Sequence, residues 1–188
     1  MLSIMMNKLN KIGKQLEGSA LYKRQKIVND YTDDIRIVAI DIKTPENLAS
    51  IYRLADAAGC KKIVLLGESS CHETKQFSRI SRGTEKHLEV EKMTIEEFVK
   101  INERFQPLVA IEITSESKNL FETSLPEKCS FVVGNERQGI NENILELCHQ
   151  AIHLPMFGSM GSMNVSHALA ISLFEWRRQM SLIKGSSI

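Results

Sequence analysis

Short apolar runs alternate with amphipathic segments from residue 35 onward, and this alternation limits the possible folds more than any other feature. Strands are predicted at residues 35–40, 61–67, 108–113, 130–134 and 151–154. Continuous apolar runs of this length are typical of strands that are buried on both faces of a parallel sheet. The sequence therefore predicts an α/β fold, with a mostly parallel sheet and helices on both of its faces.

The segments between these strands carry helix start and stop signals. Thr44 can cap a helix that begins at Pro45, and Gly59 can end that helix. Thr94 stands three positions before a glutamate, which is the spacing of a capping box. Further helices are predicted over residues 141–148 and 164–180. A polar stretch near residue 80 is too polar for a strand.

The charge of the 188-residue chain is balanced overall but unevenly distributed. It has 24 lysines and arginines against 23 aspartates and glutamates, for a formal net charge of +1. Residues 1–30 are nevertheless distinctly basic. A basic segment can bind a polyanion or can simply be a solvated helix face, and charge alone leaves both interpretations open. We expect residues 1–34 to form a helical appendage and residues 35–183 to form the main domain.

Composition also restricts the cellular setting. None of the four cysteines forms a Cys-x-x-Cys pair, and their spacing does not favour a metal site, so reduced thiols in the cytoplasm are expected and a metal is not. No apolar run approaches the ~20 residues that cross a bilayer, so no membrane association is expected. The first residues lack the apolar region of a signal peptide.

Three loops follow predicted strands, where ligands bind to parallel sheets. The first, residues 41–47, ends at Asn47 and leads to Arg53; these two residues are about 600° apart around a helix and do not share one face. The second, residues 133–140, contains a carboxylate between two glycines but lacks the Lys-Ser/Thr of a P-loop. The third, residues 154–166, offers methionines, hydroxyls and an amide at a predicted helix start.

Each loop also has a simpler interpretation when it is taken alone. Arg53 has the spacing of a surface ion pair with Asp56, which lies one helical turn later. The second and third loops can be ordinary strand–helix turns rich in glycine and capping residues. Arg79 and Arg82 can contact a polyanion or form a solvated surface.

Together the loops are far more specific. The chain contains Asn47-x5-Arg53-x5-Gly59, then Gly134-x-Glu136-x2-Gly139, then a third segment. That segment reads Pro155-Met-x-Gly158-x3-Ser162-Met-Asn164-Val-Ser166. In this order they resemble the three motifs of the SpoU (TrmH-like) RNA ribose 2′-O-methyltransferases, in the SPOUT superfamily. The resemblance extends from about residue 36 to residue 180.

The resemblance implies an S-adenosylmethionine-dependent enzyme that methylates the ribose of tRNA or rRNA. It also implies a homodimer and a deep trefoil knot in the C-terminal part of the chain, although knotted chains are otherwise rare. Structured RNA would be the partner, with tRNA favoured over rRNA by the compact size of the chain. The nucleotide and its base are not readable from the sequence.

The resemblance also assigns residues to roles. Catalytic positions would be Arg53, Asn47, Glu136, Ser162 and Asn164. The cofactor pocket would be formed by Ile111, Gly134, Leu154, Ser162 and Met163. Because arginine keeps its proton near neutral pH, we interpret Arg53 as a cation that fixes a phosphate and polarises the hydroxyl. A role for Arg53 as the base remains the alternative.

Two departures from the family pattern are present: Ala49 stands where glycine is usual, and Gly161 stands where an acidic or amide residue is usual. Both leave the polar residues of the motifs in place. The alternative function is a non-catalytic RNA-binding or assembly factor with the same fold. A dinucleotide-dependent oxidoreductase is disfavoured, because the first predicted strand is not followed by Gly-x-Gly-x-x-Gly.

Overall fold

The computed structural model describes residues 32–69 and 74–183, together with the single positions 15 and 20. The described residues form seven strands: β1 (Thr32–Ile40), β2 (Cys60–Leu66), β3 (Glu89–Met93), β4 (Leu108–Ile111), β5 (Lys118–Asn119), β6 (Cys129–Val133) and β7 (Gln150–His153). They also form five α-helices: α1 (Pro45–Ala57), α2 (Lys75–Ser81), α3 (Ile95–Ile101), α4 (Glu142–Leu145) and α5 (Val165–Ile183).

The strands form one sheet in the order β3-β2-β1-β6-β4-β7-β5, and every neighbouring pair is parallel. This arrangement confirms the predicted parallel α/β fold. Strands β1, β6, β4 and β7 occupy adjacent central positions. Since parallel strands all end at the same edge of a sheet, the loops that follow these four strands meet there.

The two faces of the sheet bury separate apolar clusters because side chains alternate along each strand. On β1, Ile35 and Ile37 lie in the cluster under α1, α2 and α5. Val38 and Ile40 belong to the opposite cluster, which includes Phe98 of α3 and residues of α4. Helices therefore cover both faces, as predicted.

Two short edge strands were not predicted. Strand β3 is largely polar and pairs with β2 along one side, while β5 is two residues long at the opposite edge. Sequence reasoning misses them because an edge strand needs neither a continuous apolar run nor full burial. The predicted helix over residues 141–148 was too long: α4 ends at Leu145, and the Cys148 amide then donates to the Leu145 carbonyl in a turn.

The bounds of the other predicted strands and helices agree with the structure within a few residues. Strand β1 begins at Thr32 rather than at residue 35, and the polar stretch near residue 80 contains helix α2. The expected appendage, residues 1–34, falls outside the described part of the chain except at positions 15, 20 and 32–34. None of the helices formed by the described residues combines the length and apolar character needed to cross a membrane.

Helix α3 begins with the predicted capping box. The Thr94 hydroxyl accepts from the Glu97 amide at 3.1 Å, and the Glu97 carboxylate accepts from the Thr94 amide at 2.7 Å. This pair fixes the start of α3, whose Phe98 side chain is fully buried against the sheet. The cap predicted from the sequence therefore helps to position a helix that covers one face of the sheet.

We expect Thr94→Ala to lower the free energy of unfolding by about 1 kcal/mol, because the amide of residue 97 loses its acceptor. Urea denaturation followed by circular dichroism measures this change. Ser78→Ala, in the exposed part of α2, is the control and should change stability by less than about 0.5 kcal/mol. Equal effects of the two substitutions would contradict the capping role.

Candidate active site

A cleft of about 860 Å³ opens at the carboxyl edge of the four central strands. Its walls are the end of β4 and the three loops predicted from the sequence, which are here named loop one (residues 41–47), loop two (133–140) and loop three (154–166). Loop one follows β1, loop two follows β6 and loop three follows β7. Strand order alone therefore brings together segments that are more than 80 residues apart, as in the 89-residue separation of Asn47 and Glu136.

Eight of the nine residues predicted for the site line this one cleft: Asn47, Ile111, Gly134, Glu136, Leu154, Ser162, Met163 and Asn164. Arg53 is the exception, since it is exposed and is not part of the cleft wall. The structure thus brings the motifs together but separates Arg53 from them within one chain. The chemical roles assigned to these residues remain predictions.

Glu136 joins loop two to loop one. Its Oε1 atom accepts from the Thr44 amide at 3.0 Å and from Nδ2 of Asn47 at 3.0 Å. Its Oε2 atom accepts from the Lys43 amide at 3.2 Å. Partial burial raises the pKa of Glu136, but the hydrogen bonds from Asn47 and loop one outweigh burial and lower it to about 2. The side chain is therefore ionised at neutral pH and is held by three donors.

Asn47 carries this connection onward to loop three. Its side-chain oxygen accepts from Nδ2 of Asn164 at 2.9 Å, and Asn47 itself is only 7% exposed. The Asn164 oxygen accepts from the Ser166 amide at 2.9 Å and from the Ser166 hydroxyl at 2.7 Å, which caps the start of α5. We call Asn47, Glu136 and Asn164 the three-loop network.

Loop two is too tight for any side chain at its first glycine. A Cβ atom at Gly134 would lie 2.1 Å from the carbonyl carbon of Gly139, because residues 135 and 139 exchange two backbone hydrogen bonds. Gly139 has a φ of +68°, which favours glycine. Both predicted glycines are therefore required by the backbone, and they leave backbone atoms open to the cleft.

Glu112 contributes to the site but was missed by sequence reasoning. It lines the cleft just after β4, where its Oε2 accepts from the Ile140 amide at 3.0 Å and its Oε1 accepts from the Ile113 amide at 3.0 Å. A lone carboxylate at the end of an apolar strand was the available signal. Its partner depends on β4 lying beside β6, which the sequence does not reveal.

Asn135 was also missed as a connecting residue. Its Nδ2 donates to the Asp41 carbonyl at 2.8 Å, and its side-chain oxygen accepts from the amides of Arg137 and Gln138. Asp41 has a φ of +47°, an uncommon conformation outside glycine. Loops one and two are therefore tied together by Asn135 as well as by the three-loop network.

Loop three leaves polar and apolar groups available to a ligand. Among the described residues, none forms a hydrogen bond with the Ser162 side chain, which is exposed at the cleft. Met160 is 70% exposed and Met156 is 37% exposed, and both also line the cleft. Polarisable thioethers beside a free hydroxyl suit a ligand with a flat ring and a sulfur centre.

The Glu136 carboxylate should make the stability of the protein depend on pH. Because the pKa of Glu136 is lowered, its carboxylate stabilises the folded state at pH values above 4.5, the ordinary pKa of a glutamate. This stabilisation is lost as the pH falls toward about 2. We expect Glu136→Gln to cost about 1 kcal/mol at pH 7, because the new amide nitrogen faces a backbone donor. The difference in the free energy of unfolding between Glu136→Gln and the wild type should shrink at pH 3.

Denaturation midpoints at pH 7, 5 and 3 measure this dependence. Glu116→Gln is the matched control, because Glu116 is exposed and has no hydrogen-bond partner among the described residues. Its difference from wild type should stay constant over the same range. A Glu136→Gln difference that also stays constant would show that the carboxylate is not held as described.

Comparison with known proteins bears directly on this cleft. The sequence model of the SpoU rRNA Methylase family matches residues 34–174. The tRNA (guanosine(18)-2′-O)-methyltransferase of Aquifex aeolicus is 31% identical over 161 residues, which are 85% of this chain and 72% of that protein. The 23S rRNA (guanosine-2′-O-)-methyltransferase RlmB of Blochmanniella floridana is 28% identical over 79% of this chain, which spans 59% of that protein.

Solved structures share the architecture. The A. aeolicus TrmH/SpoU tRNA modifying enzyme superposes with a TM-score of 0.72 at 31% identity, covering 88% of this chain and 86% of that one. The AdoMet-bound rRNA methyltransferase from Sinorhizobium meliloti has a TM-score of 0.73 at 20% identity, covering 87% and 70%, and shows the fold alone. With the family match spanning the sheet and all three loops, the chain belongs to the SpoU rRNA Methylase family.

Proposed function

We propose that this protein transfers a methyl group from S-adenosylmethionine to the ribose 2′-hydroxyl of a structured RNA. The observation that carries the proposal is the three-loop network, which joins the three family motifs around a single cleft. The named activities of the tRNA and rRNA relatives support it. Either RNA class fits, and tRNA is the first substrate to test. An enzyme acting on such RNA would work in the cytoplasm.

The cleft suits S-adenosylmethionine in size and in charge. Its volume falls within the roughly 300–1,000 Å³ of typical ligand sites. Ile111, Leu154 and Met163 offer apolar contacts, while Gly134 and Ser162 offer backbone and hydroxyl groups. The carboxylates of Glu112 and Glu136 make the cleft favourable for a positively charged ligand. When bound, the cofactor would supply a methyl group on a sulfonium, whose sulfur is a good leaving group because it departs as a neutral thioether.

The chain's own residues would orient the reactants. Glu136 is a weak proton acceptor at neutral pH because its pKa is about 2, so we assign it to holding loop one rather than to taking a proton. The side chains of Asn47 and Asn164 are bonded to each other, and we assign them to fixing the cleft walls. Ser162 has a free hydroxyl in the cleft and would contact the ligands directly.

Arg53 would act in the cleft of a second copy of the chain. Within one chain it lies outside the cleft, on a different face of α1 from Asn47. Loop three exposes Phe157 at 96% and Met160 at 70% beside the cleft, an apolar surface that a second copy would cover. In such a homodimer the Arg53 guanidinium would hold a substrate phosphate and polarise the ribose hydroxyl.

The same proposal extends to the way the C-terminal part of the chain is threaded. In the SPOUT family the third motif and the last helix belong to a deep trefoil knot, and we propose this knot here. The all-parallel sheet order and the packing of α5 against α1 support it. The main domain would then be residues 35–183 together with the first residues of β1, which begins at Thr32.

Methyl transfer can be measured directly. The full chain is incubated with methyl-tritiated S-adenosylmethionine and separately with unfractionated tRNA and rRNA, and modified sites are mapped by their resistance to alkaline cleavage. We expect incorporation at a ribose 2′-oxygen in one RNA class. Cofactor binding without incorporation into either RNA would instead favour a non-catalytic RNA-binding or assembly factor.

Arg53→Ala should lower kcat by roughly 100-fold or more, because the hydroxyl and phosphate lose their alignment. The dissociation constant for S-adenosylmethionine, measured by calorimetry, should stay within about twofold, because in the proposed dimer Arg53 contacts the substrate phosphate and not the cofactor. Mixing Arg53→Ala with a variant defective in the cleft should restore part of the activity through hybrid dimers. Parallel loss of turnover and cofactor affinity would contradict this placement.

Asn164→Ala should weaken S-adenosylmethionine binding by roughly tenfold and lower stability by about 1–2 kcal/mol, because it removes both the bond to Asn47 and the cap of α5. Calorimetry and urea denaturation measure the two effects. Thr94→Ala, which removes a cap away from the cleft, is the matched control and should lower stability alone. Unchanged cofactor affinity in Asn164→Ala would contradict the proposed site.

A further inference from the structure

Helix α2 and the turn after it carry an exposed group of cations. The group consists of Lys75, Arg79, Arg82 and Lys86, and among the described residues none of them forms a side-chain hydrogen bond or an ion pair. By contrast, Lys61 and Lys128 each contact an aspartate. Within the described part of the chain, the positive charge of this group, here called the α2 cations, is therefore not neutralised by an ion pair.

Helix α2 lies next to α1, the helix that carries Arg53. Helix α2 packs on α1 through Phe77, whose ring centroid is 5.1 Å from that of Tyr52 in an edge-on contact. Gln76 of α2 also donates to the carboxylate of Glu46 on α1. Arg53 is seven residues after Glu46, about 20° away around the helix, so it lies on the strip of α1 next to α2.

The exposed face of α2 presents two of these cations together. Phe77 and Ser81 are buried, so Lys75 and Arg79 share the opposite face, about 6 Å apart along the helix axis. The segment from residue 75 to 87 contains one carboxylate, that of Glu85. Glu85 lines a small cavity with Tyr52 and Phe77, on the side of α1.

Arg82 occupies a backbone position that normally takes glycine. It ends α2 with a φ of +53°, and its amide donates to the Ser78 carbonyl at 3.3 Å. A left-handed conformation destabilises any residue with a Cβ atom, so glycine would fit this position better. An arginine here therefore costs stability, and its side chain forms no hydrogen bond or ion pair with the described residues. Strained positions of this kind are typical of functional surfaces.

We propose that the α2 cations, together with Arg53, bind the phosphate backbone of the RNA substrate and guide it to the cleft. The choice of RNA as the polyanion rests on the proposed function. Guanidinium groups form paired hydrogen bonds with phosphate oxygens, and an unpaired cationic helix face attracts a polyanion without reading its bases. The surface would therefore contribute affinity and orientation rather than base specificity.

Two variants test the proposal, with Lys100→Gln as the matched control. Arg79→Gln removes one charge without changing the backbone, and Arg82→Gly removes another while relieving the left-handed strain. Lys100 is equally exposed and has no partner among the described residues, but it lies on α3, across the sheet. Binding of fluorescently labelled unfractionated tRNA is measured by anisotropy over a series of KCl concentrations.

We expect each α2 variant to weaken tRNA binding roughly fivefold and to reduce the salt slope by about 1, while Lys100→Gln leaves both unchanged. Arg82→Gly should at the same time raise the thermal midpoint by about 2–4 °C. Weaker RNA binding by a more stable protein excludes misfolding as the cause. Unchanged affinity and slope in both α2 variants would overturn the proposal, as would an equal effect of Lys100→Gln.

The same variants separate this proposal from the proposed function. Cofactor affinity and methyl incorporation are measured for the wild type in parallel. If the wild type transfers methyl groups and the α2 variants bind and methylate tRNA equally well, the proposed RNA-binding surface is wrong and the proposed function is supported. If the wild type transfers no methyl group while the α2 variants lose RNA affinity, the proposed function is wrong and the proposed RNA-binding surface is supported.

Discussion

The amide of Asn47 fixes the direction of the side-chain hydrogen bonds that form the three-loop network. Glu136 is ionised and accepts hydrogen bonds without donating any, so Asn47 must present its nitrogen to it. The Asn47 oxygen is then left to accept from the nitrogen of Asn164, whose oxygen in turn caps α5. One buried amide between a carboxylate and a second amide thus sets the position of the cleft walls and of the last helix. Because such a chain is polarised by its charged end, its bonds support one another.

This constraint depends on the order of the strands. Strands β1, β6, β4 and β7 lie side by side, so their following loops open at one edge. The tight turn at Gly134 and the contacts of Glu112 then hold loop two against its neighbours without filling the cleft. Rigid walls with free backbone atoms are what a site needs when its main task is to align two bound reactants. The exposed cations near Arg53 fit the same purpose, since they would place a large substrate before the chemistry begins.

Much of this architecture was predictable from the sequence, for identifiable reasons. Apolar runs predicted the central strands, and the strand-end rule predicted which loops carry the site. Helical periodicity also predicted that Asn47 and Arg53 would face different ways, as the structure shows. The contacts of Glu112 and Asn135 were not predictable, because they depend on which strands become neighbours. Edge strand β3 was missed since its polar sequence lacks the burial that identifies central strands.

A double-mutant cycle tests most directly whether the loops are held together as described. Asn47→Ala, Glu136→Ala and the double variant are compared with wild type for their S-adenosylmethionine dissociation constants, measured by calorimetry. If the two side chains act as one unit, the loss in the double variant will be smaller than the sum of the single losses by about 1 kcal/mol or more. A parallel cycle of Asn47→Ala with Thr94→Ala should be additive. Additive losses for Asn47 and Glu136 would contradict the account.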